Sequence, residues 1–492
     1  MIYNSTKGAK NYRASEAILK GLADDGGLFV PESFPQLSVS LDKLSELSYQ
    51  EIAYLVMKDY FDDFTEEELK SCINNAYDSK FDTEEIAPLV KVGNQYFLEL
   101  FHGATIAFKD MALSLLPHLL TVSMKKNNVN KEIVILTATS GDTGKAALEG
   151  FSDVDGTRIV VFYPKGGVSN IQERQMVTTK GKNTKVIAVK GNFDDCQSGV
   201  KKIFNDSAFK EQMDKAGYQF SSANSINIGR LIPQVAYYVF AYSRMVKNGE
   251  IKAGEELDFT VPTGNFGNIL AAFFAKKMGL PIRKLICASN DNKVLFDFFK
   301  SGTYDRNRKF VLTSSPSMDI LISSNLERLI YLSAGSDPDK NSKLMKQLTD
   351  EGIYTVTDDM IQYMSDFVPE YATENEVKDT ISEIYNKFGY VIDTHTAVAA
   401  YSDKKYKSEC GSTVKSVIIS TASPYKFGRS ALNAIDPDYE SNDDFNMADR
   451  LNILSKRPIP PAIESIRNAD IRHKEVCEIS EMADSVRKYL NF

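Results

Sequence analysis

From Pro88 onward, short apolar runs alternate with stretches whose apolar residues recur at helical spacing, and nothing else in the sequence restricts the fold as tightly. IVILTA (133–138), RIVVFYP (158–164) and KVIAVKG (185–191) form one set of runs. LDFTVPTG (257–264), KLICASN (284–290) and VKSVIISTAS (414–423) form a second. Apolar runs of this length between turn signals read as buried strands. Parallel strands need a crossover, so strand-then-helix repetition gives parallel sheets covered on both faces, with ligand sites at the carboxyl ends of strands. The expectation is an α/β protein with two open, twisted, mostly parallel sheets flanked by helices. Upstream, residues 41–77 are helical in pattern, and Thr65-Glu66-Glu67-Glu68 is a capping box opening a helix that carries Leu69, Ile73 and Ala76. The predicted division is a mostly helical unit over 1–90, one α/β lobe over 91–230 and a second over 231–492. Polar residues from Asp436 to Asp449 read as a surface loop.

Composition narrows the partners. The formal net charge is −8, from 58 basic and 66 acidic residues, which argues against a general nucleic-acid or anionic-membrane surface. An anionic ligand must therefore be held by a local site. Cys72, Cys196, Cys287, Cys410 and Cys477 are scattered without a CxxC pair, and His102, His118, His395 and His473 are unclustered, so no disulfide framework and no metal site are expected. His395, in DTHTAVAA, reads as a structural helix-start residue near a cleft. The polar N-terminus lacks a signal peptide's apolar run, and no stretch approaches the ~20 apolar residues of a membrane span. A reducing, cytoplasmic setting follows.

Five segments can carry chemistry. Lys109 lies in HGATIAFKDMALSLL among Ile106, Ala107, Phe108, Met111 and Ala112. Burial there would depress its pKa and suit it to Schiff-base formation, although such a lysine taken singly is more often a helix-end residue with its charge in water. TVPTGNFGNILAAFF places Gly264, Asn265, Phe266, Gly267 and Asn268 between a strand and a helix, where backbone N–H groups can cradle a phosphate. Glycine at 264 and 267 would permit positive φ and close approach. The pattern is not GxGxxG. TATSGDTGKAALEGF offers Ser140, Gly141, Asp142 and Thr143 at a second helix start, but a P-loop would need glycine at Thr139 and a hydroxyl at Ala146. SSANSINIGRLIPQ sets Asn224 and Arg230 just ahead of a long apolar helix, where amide and guanidinium donors could meet a second anion. VIISTASPYKFG ends a buried strand at Thr421.

Read in order, YNSTKG (3–8), GLADDGGLFVPE (21–32), HGATIAFKD, ATSGDTG, NSINIGR, PTGNFGN and STASPYKF resemble the threonine synthases of the fungal and enterobacterial type. These are fold-type II pyridoxal 5'-phosphate (PLP) enzymes related to the tryptophan synthase β subunit. The resemblance implies PLP bound to Lys109 as a Schiff base. It implies that Gly264, Asn265, Phe266, Gly267 and Asn268 surround the cofactor phosphate, and that Thr421 meets the ring nitrogen. Ser140, Gly141, Asp142 and Thr143 would bind the substrate carboxylate, and Asn224 and Arg230 its phosphate. The implied reaction turns O-phospho-L-homoserine and water into L-threonine and phosphate by γ-elimination and β-addition, the last step of threonine biosynthesis, in a monomer or homodimer. Its only implied partner is the small-molecule substrate.

Two positions depart from the family pattern. Ala104 stands where proline is common, and Ser423 where histidine is common. The alternatives left open are another fold-type II reaction, such as dehydration or β-replacement, and a binding or regulatory module that keeps the fold without the activity.

Overall fold

The computed structural model describes residues 1–139 and 141–492, with backbone alone for Asp142. Its strands are β1 (Tyr3–Ser5), β2 (Phe29–Pro31), β3 (Leu89–Val92), β4 (Gln95–Glu99), β5 (Glu132–Ala138), β6 (Thr157–Pro164), β7 (Thr184–Val189), β8 (Tyr218–Ser221), β9 (Leu257–Pro262) and β10 (Ile282–Ser289). They continue with β11 (Thr303–Asp305), β12 (Ile353–Thr355), β13 (Phe367–Tyr371), β14 (Ser416–Ser420) and β15 (Glu475–Cys477). The larger sheet has the order β13-β10-β9-β14-β4-β3 and is parallel except for the β3–β4 hairpin at its edge. The smaller sheet, β15-β7-β6-β5-β8, is parallel throughout.

The two sheets are not two consecutive lobes. β4 pairs with β14, more than 300 residues later, while β15 near the C-terminus adds to the smaller sheet beside β7. The whole of β5 to β8 is thus inserted between two strands of the larger sheet. A division into 91–230 and 231–492 separates strands that are hydrogen-bonded to each other.

Local rules account for the N-terminal helices. Ser48 with Glu51 and Thr65 with Glu68 form reciprocal capping boxes, opening the helices Tyr49–Met57 and Glu66–Ala76. These helices bury Ile52, Val56, Leu69 and Ile73 in the same apolar cluster that holds the helix Ile228–Lys247. Tyr49 meets Tyr77 and Phe240 edge-on at 4.9 and 5.3 Å. That 20-residue helix is buried on all sides from Ile228 to Met245, and its mostly apolar sequence also takes Arg230, Gln234, Ser243 and Arg244 into the interior.

The segment from Asp436 to Asp449 is a loop only in its first part. Asp443 accepts a hydrogen bond from the Phe445 amide and caps a helix, Asp444–Ser455, which buries Phe445, Met447, Ala448 and Leu451. Its apolar residues are sparse, so the period is hidden among Asn and Asp.

Candidate active site

Three parallel strands of the larger sheet, β9, β14 and β4, lie side by side, so their carboxyl ends share one edge. β9 runs into the turn at 263–267, β14 into Thr421, and β4 into the loop that carries Lys109. Adjacent strands are ~4.8 Å apart, which puts the three loops within about 10 Å of one another at their roots. The Lys109 loop is stitched directly to the strand beside it. The Leu100 amide donates to Ser420 O at 2.9 Å, the Phe108 amide to Thr421 O at 2.8 Å, and the Ser423 amide to Ile106 O at 3.0 Å.

Lys109 is half-buried immediately before the short helix Asp110–Leu113. Asp110 folds its carboxylate back over the preceding turn, accepting from the Thr105 amide at 2.7 Å and the Thr105 hydroxyl at 2.6 Å. Burial pushes the Asp110 carboxyl up to about 6, against the opposing pull of Thr105 and of the charge on Lys426. Lys426 itself donates to Thr105 O at 2.9 Å. Ile106, a β-branched residue, sits at φ 53°, a conformation that carries strain of order 1–3 kcal/mol. These bonds hold it there, and with it the direction in which the lysine leaves the loop. Ala104, in place of the family's proline, is in the turn that Asp110 braces.

The turn after β9 differs from expectation in one respect. Neither Gly264 nor Gly267 has positive φ; the left-handed residue is Phe266, at φ 63°, which is buried as the N-cap of the helix Gly267–Lys277. Phe266 tolerates this because its ring is fixed against Phe299 and Phe367 at 6.0 and 5.4 Å. Glycine at 264 serves close approach instead, since a Cβ there would lie 2.7 Å from Ser317 O. The first amides of a helix have no partners within it, so those after Phe266 are available to an anion. Asn265 is exposed. Asn268 is 7 % exposed; its Oδ1 accepts from the hydroxyls of Tyr237 and Tyr238, both at 2.5 Å, and its Nδ2 is buried without a partner among the described residues.

Arg230 lies inside the helix Ile228–Lys247, in its first turn, rather than ahead of it; Asn227 is the cap. It is 4 % exposed. One nitrogen donates to Ala223 O at 2.9 Å, Nε is buried with no partner, and no carboxylate pairs with it among the described residues. Burial alone lowers its pKa to about 10. One turn on, Gln234 bonds Arg230 O at 2.8 Å, and its Nε2 is 3.8 Å from where a Cβ on Gly267 would stand. The helix thus carries Arg230 to the side of the 264–268 turn. Asn224 is exposed on the loop before it.

Ser140 and the side chain of Asp142 lie outside the described residues. Gly141, at φ 138°, precedes the helix Asp142–Phe151, and Thr143 is half-buried in that helix. The Gly141 amide is not open to a ligand, because Thr139 Oγ1 accepts from it at 2.9 Å and from Gly144 at 3.0 Å. Thr421 is 5 % exposed at the end of β14, and Ser423 turns its hydroxyl to the Tyr425 amide at 3.3 Å. His395 is buried at the start of the helix Thr394–Cys410 and is braced by Asp393 at 2.7 Å. Its Nε2 accepts from the Ser317 amide at 3.2 Å, which fixes the proton on Nδ1. A structural histidine beside the 264 turn is what this geometry describes.

Sequence reasoning missed the segment that holds the turn from behind. The Ser323 hydroxyl donates to Gly264 O at 2.7 Å, and the Asn325 amide and side chain both donate to Asn265 O, at 3.1 and 3.0 Å. Sixty residues separate partner from partner, and nothing local in SSN signals it.

A half-buried lysine at a strand-end loop, a glycine turn approached by backbone, an orphaned Asn268 amide and a buried Arg230 fit a cofactor that brings both an aldehyde and a phosphate. This defines the class of PLP-dependent enzymes, and the family model described as pyridoxal-phosphate dependent enzyme matches residues 84–422. A second model, threonine synthase N terminus, matches residues 2–77. The chain is 38% identical to threonine synthase of Saccharomyces cerevisiae over 88% of its length and 89% of that protein. It is 42% identical to human threonine synthase-like 1 over 86% of its length, yet spans only 58% of that protein. The crystal structure of PLP-bound threonine synthase from Brucella melitensis superposes with a TM-score of 0.85 at 34% identity, covering 100% of this chain and 98% of that one. The chain belongs to the threonine synthase family of fold-type II PLP enzymes, and PLP is its cofactor.

Proposed function

We propose that the chain converts O-phospho-L-homoserine and water into L-threonine and phosphate. The observation that carries this reading is Arg230, a buried guanidinium with no carboxylate partner among the described residues, one helical turn from Gln234, whose Nε2 reaches Gly267 of the cofactor turn. A dehydratase needs one anion cradle; this substrate brings a second phosphate, and a planar guanidinium bonds two of its oxygens at once.

Lys109 would hold PLP at its aldehyde and residues 264–268 would hold its phosphate, and the group would supply an electron sink for charge developing at the substrate's Cα. Thr421 would meet the ring nitrogen with a hydroxyl, which does not hold that nitrogen protonated as a carboxylate would. The Lys109 amine removes the Cα proton and then a Cβ proton; once phosphate has left Cγ it delivers one of them to Cγ, making the product's methyl group. After the oxygen of water has added at Cβ, its spare proton going to the released phosphate, the amine returns the other to Cα. Arg230 and Asn224 balance the charge on phosphate as it leaves Cγ. The helix start at 140–143 receives the substrate carboxylate through its Ser and Thr hydroxyls and the amides that Thr139 does not take. Burial of Arg230 and Asn268 keeps bulk water from the reacting atoms until the water that adds at Cβ is admitted.

The five cysteines are free and no helix among the described residues is long and apolar enough to cross a membrane. We place the activity in the cytoplasm, in a monomer or homodimer. The test is a reaction of protein, PLP and phosphohomoserine scored for threonine and inorganic phosphate together, beside a second with threonine scored for ammonia. Equal threonine and phosphate are expected; ammonia without phosphate release would assign a dehydratase. Lys109→Ala is expected to lose the cofactor's visible absorbance and at least about 10³-fold in turnover. Turnover retained without added amine would remove Lys109 from the mechanism.

A further inference from the structure

Arg328 has the largest side chain with no exposure to solvent, at 0 %. It lies in the first turn of the helix Leu326–Ser333, and two of its three acceptors are far away in sequence. Nε donates to Phe29 O of β2 at 2.8 Å, one terminal nitrogen donates to Asn325 Oδ1, and the other donates to Ile226 O. Each acceptor belongs to a different part of the molecule. Phe29 is in the N-terminal two-stranded sheet. Ile226 is in the loop between Asn224 and Arg230. Asn325, itself fully buried, passes the contact on by donating to Asn265 O at 3.0 Å, within the cofactor-phosphate turn.

We propose that Arg328 is a positioning residue that sets the spacing between the two anion-binding turns, 264–268 and 224–230. This rests on the reading of those turns given under Proposed function. The guanidinium is planar and its nitrogens are fixed in a fork, so occupying all three sides locks the directions of Ile226 O and Asn325 Oδ1 relative to each other. A lysine reaches one acceptor as a point charge and cannot fix that angle. The spacing matters because one substrate must present its amine to the cofactor and its phosphate to Arg230 together, and misplacement by about 1 Å costs up to about 10²-fold.

The test uses the full chain with Arg328→Lys, and Thr6→Val as a control. Thr6 donates to Glu327 at 2.6 Å, so its loss loosens the N-terminal sheet on the same helix without touching either turn. Four quantities are read: thermal midpoint, Kd for PLP, Kd for pyridoxal, and KM for phosphohomoserine with cofactor saturating. Pyridoxal lacks the phosphate, so it reports on general damage to the site. Arg328→Lys is expected to raise the PLP Kd and the KM by about tenfold each, the scale of one charge-assisted hydrogen bond, and to leave the pyridoxal Kd within about twofold. Thr6→Val is expected to lower the midpoint alone. A lowered midpoint in Arg328→Lys with PLP Kd and KM unchanged makes Arg328 merely structural and overturns the proposal.

Should Arg328→Lys fail to fold, Asn325→Ala decides, since it removes the side chain that links Arg328 to Asn265 and leaves the bonds of Arg328 to Phe29 O and Ile226 O. A raised PLP Kd with unchanged KM supports the spacing role, and an unchanged PLP Kd overturns it. The PLP arm needs no turnover: a parent that binds PLP but releases no phosphate would sink the activity and leave this arm standing.

Discussion

The first turn of the helix Ile228–Lys247 and the first turn of the helix Leu326–Ser333 each bury an arginine, and burial lowers both guanidinium pKa values to about 10. They differ in what their nitrogens meet. Arg328 is spent: all three sides of its fork are taken by carbonyl or amide oxygens from three separate segments. Arg230 is held ready, with one bond to Ala223 O and an Nε that has no partner among the described residues. Burying an arginine without partners costs several kcal/mol, which a fold tolerates where a ligand supplies the missing charge. The difference separates a charge that serves the fold from one that serves a substrate.

That contrast breaks if the two respond alike to the same substitution. Arg230→Met is expected to lower kcat/KM for phosphohomoserine by about 10³-fold, the ~4 kcal/mol of a charged group lost from a phosphate in a buried site. Its thermal midpoint should stay level or rise, because an under-compensated buried charge has been removed. Steady-state kinetics beside calorimetry checks both halves; a midpoint that falls with the activity would make Arg230 another spent charge. Arg328→Met should behave in the reverse order, losing about 3 kcal/mol in denaturant unfolding because three buried acceptors are stranded. Stability unchanged in that variant would end the distinction from the other side.

A smaller effect sharpens the comparison with a third cation, which is half-buried. His102 lies between Asp82 Oδ1 at 2.5 Å and Glu99 Oε2 at 2.9 Å, and Glu99 also takes the Tyr390 hydroxyl at 2.6 Å and Arg457 at 3.0 Å. Burial pulls its pKa down, but the bonds to Asp82 and Glu99 outweigh this and raise it from 6.5 to about 9. A folded-state pKa above the unfolded one adds stability that is complete below about 6.5 and is lost as pH rises through about 9. The melting temperature should therefore drop by a few degrees between pH 6.5 and pH 9.5, and His102→Gln should flatten that slope. An unchanged slope in His102→Gln would assign the pH dependence elsewhere.

Much of this was legible in the chain itself. The six apolar runs became β5, β6, β7, β9, β10 and β14, and the Thr65–Glu68 box opened its helix as read, because strand period and capping chemistry act over a few residues. The site residues were legible as residue types at strand-end loops. Their conformations were not. The left-handed positions fell on Phe266 and Ile106, where aromatic packing and loop hydrogen bonds override the preference for glycine.

The sequence by itself determined which segments are strands and helices, where the loops that can bear chemistry fall, and that a lysine, a glycine turn and an arginine stand on those loops. Only the tertiary structure decided that β4 lies beside β14, that residues 323–328 support the 264–268 turn, and that one arginine is satisfied while the other is not. The reason is distance along the chain. Periodicity is written within a dozen residues, whereas the partner of Arg328 at Phe29 is 299 residues away and that at Ile226 is 102, so which acceptor a buried guanidinium finds is settled when the layers pack.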